Sequence, residues 1–438
     1  MTPSGVLSRA AVSAALVVFT ALPGGAQVAV STGTLPGGGT YTVLPDPAQP
    51  AAAVALWYRA PSSGFGDTPA PGLSRLAATT VAGSVPVTGT ALGTLIARYG
   101  GRLSVSAFPD SVSITALVPP AHAADAVRAM TADYFAPVVT AAGLGVAQRD
   151  VVEEVLFRSY DPQEALEDAL GAALFATGPL HDGTLGTPQG LREMTLDQVR
   201  SYAERAFRPA NATLVLAGNV DARALAGVAS RDGAPAGSEP PAPQTALPQP
   251  ATLRRDANAA GVGLAWVGPP ISDEAAATAL DFVADAWFAP RRGLAIKAMG
   301  AGGPDVTGKF VTYHDPGVFL VTLSGDGVDE GRAKLARVLA DAAKPLDVKT
   351  FESLRAQFIY DVLGAAVTPG DVTDSEGWYA VEGDPAYAPL ALANRARYLQ
   401  LARALTPDAV ARVVARYLGS TPGVVTLGKS APAPRSTT

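Results

Sequence analysis

The chain of 438 residues contains no cysteine and only three histidines. The absence of cysteine excludes disulfide bonds, thiolate zinc sites and a cysteine nucleophile. The histidines are His122, His181 and His314, and no two of them lie within four positions of each other. No single element therefore carries a pair of imidazole ligands. We expect each histidine to be a surface residue, with a metal site assembled from distant positions as the open alternative.

Charge is also sparse. Asp, Glu, Lys and Arg make up 16% of the chain, and the formal net charge is −6. Without an extended run of lysine and arginine, the sequence excludes a basic footprint for nucleic acid or for anionic membranes. Hydrophobic residues reach 48%, so the chain has enough apolar material for large cores.

The N-terminal segment is typical of an exported protein. A weakly positive start, residues 1–9, precedes an apolar stretch, residues 10–22, of signal-peptide length. Small residues follow, and we expect a signal peptide over 1–26 with cleavage after Ala26, hence a periplasmic or extracellular location. The apolar stretch is short for a membrane span, and the missing cysteine excludes a lipoprotein. A buried or amphipathic N-terminal helix is the alternative, which the Pro and Gly directly after the stretch disfavour.

A proline-rich segment divides the rest of the chain. Residues 232–250 hold six prolines among Gly, Ala, Ser and Gln, a composition typical of a linker. We predict an N-terminal domain over 27–231, a linker over 232–252, a C-terminal domain over 253–430 and a disordered tail over 431–438.

The two halves follow the same order of elements, which indicates an internal duplication. Each predicts a strand, a helix, a hairpin, an amphipathic helix, and finally a threonine-capped helix that leads into a strand. Thr195 and Thr406 are the expected N-caps of the closing helices. The paired segments are 54–58 and 262–267, 72–81 and 274–286, 103–118 and 309–323, 121–135 and 330–343, and 194–218 and 405–428.

The first helix of the first half has the frame of a known motif without its chemistry. Residues 71–84 read Pro-Gly-Leu-Ser-Arg-Leu-Ala-Ala-Thr-Thr-Val-Ala-Gly-Ser. This frame resembles the Gly-Leu-Ala-His-Phe-Leu-Glu-His segment of pitrilysin/insulinase-type zinc metallopeptidases, in which two imidazoles at i and i+4 hold zinc beside a glutamate base. Here Arg75, Ala78 and Thr79 take the places of His, Glu and His. Arginine cannot ligate zinc, alanine cannot accept a proton, and a threonine hydroxyl is a poor neutral ligand.

The resemblance covers nearly the whole mature chain and is closest to non-catalytic, processing-peptidase-like subunits. It includes Val-Val-Glu-Glu-Val at 151–155, Pro-Leu at 179–180 with Leu-Gly-Thr at 185–187, and Arg-Pro-Ala-Asn at 208–211. It implies an α+β fold of two homologous α/β halves, each a mostly antiparallel sheet covered by helices, arranged as a clam.

The resemblance also assigns the remaining positions of the family's sites. The third zinc ligand falls on Glu154, which is retained, and a supporting acidic residue falls on Ala147, which is not. One carboxylate cannot hold catalytic zinc, so we expect Glu154 to be solvated or to pair with another helix. The family's substrate-binding arginine and tyrosine fall on Met299 and Val306, subject to a shift of register. We expect no metal and no cofactor.

Three functional hypotheses follow from the sequence. The first is an exported, catalytically inactive homologue that partners a zinc-containing sibling, or itself, in peptide binding and proteolysis. The second is a stand-alone peptide-binding or structural protein. The third is a zinc metallopeptidase with unusual ligands around Glu154, His122 or His181. None of them involves nucleic acid, or a membrane in the mature form.

Overall fold

The computed structural model describes residues 30–66, 68–85, 89–229, 247–257, 259–364, 368–383 and 391–428. The predicted signal peptide, the predicted tail and most of the predicted linker lie outside these ranges. Within them, no helix combines the length and the apolar character that crossing a bilayer requires.

Strands and helices alternate in blocks along the chain. The strands are β1 (Ser31–Thr34), β2 (Thr40–Pro45), β3 (Ala52–Arg59), β4 (Arg102–Ala107), β5 (Ser111–Val118), β6 (Ala212–Gly218), β7 (Thr252–Asp256), β8 (Gly261–Val267), β9 (Asp305–Val311), β10 (Val318–Ser324) and β11 (Gly423–Gly428). The helices are α1 (Leu73–Gly83), α2 (Leu92–Arg98), α3 (Ala123–Phe135), α4 (Ala141–Ser159), α5 (Pro162–Leu174), α6 (Pro179–Asp182), α7 (Pro188–Glu193), α8 (Leu196–Ala206), α9 (Glu274–Phe288), α10 (Leu294–Met299), α11 (Val328–Ala342), α12 (Val348–Gly364), α13 (Pro369–Glu382), α14 (Ala391–Ala404) and α15 (Pro407–Tyr417).

These elements form two compact units. The described residues of the first unit fall within Met1–Val155, Asp182–Gln244 and Ile359–Gln400. Those of the second fall within Leu156–His181, Thr245–Phe358 and Leu401–Thr438.

The first unit is built on a six-stranded sheet in the order β1-β2-β6-β3-β5-β4. Only β2 and β6 run parallel, and the other neighbours are antiparallel. Its central strand β3 is apolar and buried on both faces, so both faces must be covered. Helices α1 and α3 pack on one side of the sheet, and α13 packs against β3, β5 and β6.

The second unit repeats this topology without the first edge strand. Its sheet has the order β7-β11-β8-β10-β9, with only β7 and β11 parallel. Helices α9 and α11 pack against its strands, and α5 packs against β8, β10 and β11. Two mostly antiparallel sheets covered by helices confirm the predicted α+β fold class and the duplicated order of elements.

The domain boundaries predicted from sequence miss an exchange of two helices. Helix α5 lies in the first half of the chain but packs in the second unit, and α13 does the reverse. Each sheet needs a helix on its second face because its central strand is apolar on both sides, and periodicity does not reveal which sheet a helix covers. Both helices begin alike, with Asp161 and Thr368 as N-caps before a proline at the first helical position.

The C-terminal end of α13 is fastened to the first sheet by polar contacts. The Arg59 guanidinium donates to the carbonyl oxygens of Val381 and Gly383, the latter at 2.8 Å. Ser111 Oγ donates to Glu382 Oε1 at 2.9 Å. Burial, with the nearby Asp110 carboxyl, raises the pKa of Glu382 well above its usual value. Burial therefore favours the neutral form of Glu382 where it meets the sheet.

The expected N-caps of the closing helices are confirmed. Thr195 accepts a hydrogen bond from the Gln198 amide, and Gln198 bonds back to the Thr195 amide, which completes a capping box. Thr406 accepts from the Ala409 amide at the start of α15.

Candidate functional site

The start of α1 is set by two glycines that lie back to back. Gly72 caps the helix with φ of 91°, and a Cβ there would stand 2.3 Å from the carbonyl oxygen of Leu185. Gly186 has φ of 71°, and its Cβ would stand 2.0 Å from the carbonyl oxygen of Pro71. The two segments that carry the family resemblance therefore touch through their backbones, and both glycines serve the fold.

One face of α1 is turned into the core and another towards α4. Leu76, Ala77 and Ala78 are fully buried, whereas Arg75 and Thr79, one turn apart, are partly exposed. The Ala78 carbonyl accepts a hydrogen bond of 2.8 Å from the Tyr134 hydroxyl, whose pKa is raised by burial. The position that holds the catalytic base in the family is thus part of the hydrophobic core here.

Arg75 occupies the middle of the degenerate site. Its Nε and Nη2 atoms donate to Glu154 Oε2 at 3.1 and 2.7 Å. Its Nη1 atom donates to the carbonyl oxygen of Val105 on β4 at 2.7 Å and lies 3.5 Å from Thr79 Oγ1. The positions that correspond to the three zinc ligands therefore do converge in space. A guanidinium stands among them and supplies the positive charge.

This ion pair is largely shielded from water. The side chains of Arg75 and Glu154 are 16% and 15% exposed. The planar guanidinium of Arg75 and the Glu154 carboxylate thus form an ion pair with little access to solvent. Glu154 is thus a residue that pairs two helices, one of the two outcomes expected from the sequence, and the other, a solvated side chain, is not observed.

The rest of the face of α4 does not supply further ligands. Ala147 lies two turns before Glu154 and is 1% exposed, so an apolar contact stands where the family has an acidic residue. Within the described ranges, no group of three or more His, Asp or Glu side chains is placed to hold a metal ion. Residues Arg75, Ala78 and Thr79 therefore do not fit zinc, and no catalytic step can be derived through it.

The three histidines are each half-buried. The His122 ring stacks on Tyr99 with 4.7 Å between ring centroids, and its Nδ1 atom is 3.5 Å from Asp125. His181 belongs to α6 in the second unit, and His314 follows β9. None of them is placed with other acidic or imidazole side chains as a metal-binding group in the described part of the chain.

The two positions assigned to substrate binding are apolar and buried. Met299 ends α10 and is 5% exposed, and its backbone carbonyl accepts from Lys334 Nζ at 3.2 Å. Val306 lies on β9 opposite Leu323 and is 7% exposed. Neither side chain can donate a hydrogen bond to a peptide.

One residue of the site has no counterpart in the sequence analysis. Val105 takes part through its backbone carbonyl, which no residue type announces. The sequence predicts β4 as the first strand of a hairpin. This indicates only that β4 has a neighbouring strand on one side, so that some of its backbone carbonyls are available to other partners.

Comparisons with known proteins show a similarity in sequence over part of the chain. The family profile described as "Peptidase M16 inactive domain" matches residues 193–358. An uncharacterized zinc protease of Mycobacterium leprae is 30% identical over 193 residues, which are 43% of this chain and 42% of that protein. The matched part thus spans less than half of that relative.

Solved structures extend the likeness to nearly the whole chain. A putative M16-like peptidase from Alicyclobacillus acidocaldarius superposes with a TM-score of 0.75 at 16% identity, covering 93% of this chain and 99% of that one. A peptidase M16 inactive domain from Pseudomonas fluorescens gives the same TM-score, identity and coverage. At this identity the likeness concerns the fold.

Proposed function

We propose that this chain, an inactive peptidase-like protein with the M16 fold, is exported and partners a zinc-containing sibling in peptide binding and proteolysis. The resemblance to pitrilysin/insulinase-type peptidases is supported by the family profile over residues 193–358, and the structural neighbours share the fold. The observation that carries the proposal is the guanidinium of Arg75, bound by Glu154 among the three positions where the resemblance places zinc ligands.

Charge as well as the lack of ligands disfavours zinc among Arg75, Ala78 and Thr79. A zinc ion at this place would meet a fixed positive charge on Arg75, a neutral hydroxyl on Thr79 and a methyl group on Ala78. Glu154 would be its only anionic ligand, already bonded to the guanidinium. Catalytic zinc requires three protein ligands and an open position, so the site supports binding or assembly rather than hydrolysis.

Pairing with a sibling is tested by co-purification. This chain is co-expressed with a protein that is encoded beside it and carries an intact His-x-x-Glu-His helix. The molar mass of the purified complex is measured by light scattering. We expect a stoichiometric heterodimer. If this chain elutes alone while the sibling is folded and present, the proposed heterodimer is wrong and the hypothesis of a stand-alone protein replaces it.

A stand-alone peptide-binding or structural role is the second candidate. The structural form of this role is favoured by the burial of Met299 and Val306, since the second unit then offers no polar substrate contact at those positions. The third hypothesis, a zinc peptidase with unusual ligands, has the least support because Glu154 is bound by Arg75 and, among the described residues, no histidine belongs to a group of three or more potential metal ligands.

Metal analysis separates the third hypothesis from the other two. Purified wild-type chain is expected to carry no stoichiometric zinc. The variant Arg75→His/Thr79→His restores two imidazoles beside Glu154 and is expected to bind zinc with release of protons. This double variant does not change the buried Ala78, so its stability can be compared directly with that of the wild type. Stoichiometric zinc in the wild type would contradict the proposal.

Export is tested on the chain in cells. Fractionation and mass spectrometry of the mature N-terminus are expected to place the protein outside the cytoplasm, cleaved after Ala26. Retention of residues 1–26 on a cytoplasmic protein would contradict this part of the proposal.

A further inference from the structure

Strand β4 is an edge strand, and its hairpin fixes which backbone groups point away from the sheet. In the described ranges, β4 pairs only with β5. The turn is closed by a hydrogen bond of 2.8 Å from the Phe108 amide to the Ser111 carbonyl. Since hydrogen-bonded and non-hydrogen-bonded pairs alternate in an antiparallel ladder, Ala107, Val105 and Leu103 point their N–H and C=O groups outward.

Arg75 binds the middle one of these three residues. Its Nη1 atom donates to the Val105 carbonyl at 2.7 Å, which agrees with the outward direction derived from the register. The guanidinium is held there by Glu154 on α4, and only 16% of the Arg75 side chain is exposed. The charged side chain of Arg75, which extends from α1 and is bound by Glu154 on α4, therefore lies against the centre of the edge strand β4.

We infer that Arg75 is an internal cap that closes the edge of β4 to an extended peptide. Strand addition requires the outward N–H and C=O groups of alternate residues in one unbroken row. At β4 the carbonyl oxygen of Val105 already accepts a hydrogen bond from Arg75. The guanidinium also fills the space that an added strand would need. An exposed edge without such protection pairs with other chains, so the cap also prevents unwanted association.

While Arg75 is in place, the first unit does not bind peptide by strand addition at β4. This holds with or without a sibling subunit, and so goes beyond the proposed function. Removal of the guanidinium uncovers a latent peptide-binding edge.

The test compares variants of the full chain in a peptide-binding assay. Fluorescein-labelled casein peptides are titrated with each protein and followed by fluorescence anisotropy. Arg75→Met keeps the apolar stem but loses the donors, and it should bind about tenfold more tightly than wild type or better. Arg98→Met removes the same charge from the neighbouring helix α2, where the side chain is exposed, and should behave as wild type.

A second substitution shows where the peptide binds. Proline at an edge position whose N–H faces outward is tolerated but cannot donate to an added strand. Arg75→Met/Ala107→Pro should therefore return to wild-type binding. If the gain persists in this double variant, or if folded Arg75→Met shows none, the inference is wrong.

A variant at the anchor covers the case in which Arg75→Met does not fold. Glu154→Gln releases the guanidinium from its carboxylate and should give a smaller gain in binding. Wild-type binding by a folded Glu154→Gln would then overturn the inference. Pairing with a sibling is measured separately by co-purification, so either proposal can fail alone.

Discussion

The ion pair between Arg75 and Glu154 should stabilise the first unit more than a surface ion pair does. Its side chains are 16% and 15% exposed, whereas those of the pair Arg128–Asp125 on α3 are 63% and 39% exposed. Exposed pairs contribute about 0.2–1 kcal/mol, and breaking a fully buried pair costs about 3–5 kcal/mol. Because some water contact remains, we expect a coupling energy of about 1–2 kcal/mol for Arg75 and Glu154.

The single substitutions should differ from each other. Arg75→Met also removes the hydrogen bond to the Val105 carbonyl, which is worth about 1 kcal/mol net. Glu154→Gln keeps the donor of that bond, although the guanidinium is held less firmly beside β4. Arg75→Met should therefore be the more destabilising variant by about that amount.

A double-mutant cycle measures the coupling. Wild type, both single variants and the double variant are compared by hydrogen exchange of β3 and β5 in denaturant, which reports the first unit alone. The same cycle on Arg128 and Asp125 is the matched control, with an expected coupling below about 0.5 kcal/mol. A coupling at Arg75 and Glu154 no larger than the control would refute the argument from burial.

Three further predictions concern the packing around this unit. The raised pKa of Glu382 means that the folded state binds more protons than the unfolded chain above the usual value of 4.5, so stability falls as pH rises through that pKa. Glu382→Gln should flatten the dependence of Tm on pH, and an unchanged slope would contradict the assignment. Gly72→Ala should lower the free energy of unfolding by more than about 2 kcal/mol, whereas Gly93→Ala, where a Cβ meets nothing within 4 Å, should be neutral or slightly stabilising in urea melts. Gly377→Ala places a Cβ 2.0 Å from Trp57 Nε1 and should loosen α13 from the sheet, seen as faster hydrogen exchange of α13 than in wild type.

Local patterns predicted much of the fold. Alternation at 103–118 gave the hairpin of β4 and β5, and Thr195 and Thr406 marked the starts of α8 and α15. These signals succeed because turn chemistry, caps and side-chain period act over a few residues. The exchange of α5 and α13 was not predicted, since an apolar helix face packs equally well on either of two similar sheets.

The candidate site was predicted only in part, for a related reason. The motif frame located Arg75 and Thr79, and the resemblance located Glu154. Neither of them predicted which groups Arg75 contacts. Its partners are 79 and 30 positions away along the chain, and one of them is the Val105 backbone. Contacts of that range depend on how helices dock, which no local pattern records.

The carboxylate at Glu154 and the methyl group at Ala147 have one physical explanation. A partly buried carboxylate is stable only beside a positive charge, because desolvation disfavours it otherwise. Arg75 reaches Glu154 with two donors and β4 with a third, so it provides that charge without a metal. At position 147 the side chain is a buried methyl group, which has no desolvation cost of the kind that a carboxylate has. The carboxylate of Glu154 is thus balanced by the guanidinium of Arg75, and the site needs no metal ion to compensate its charge.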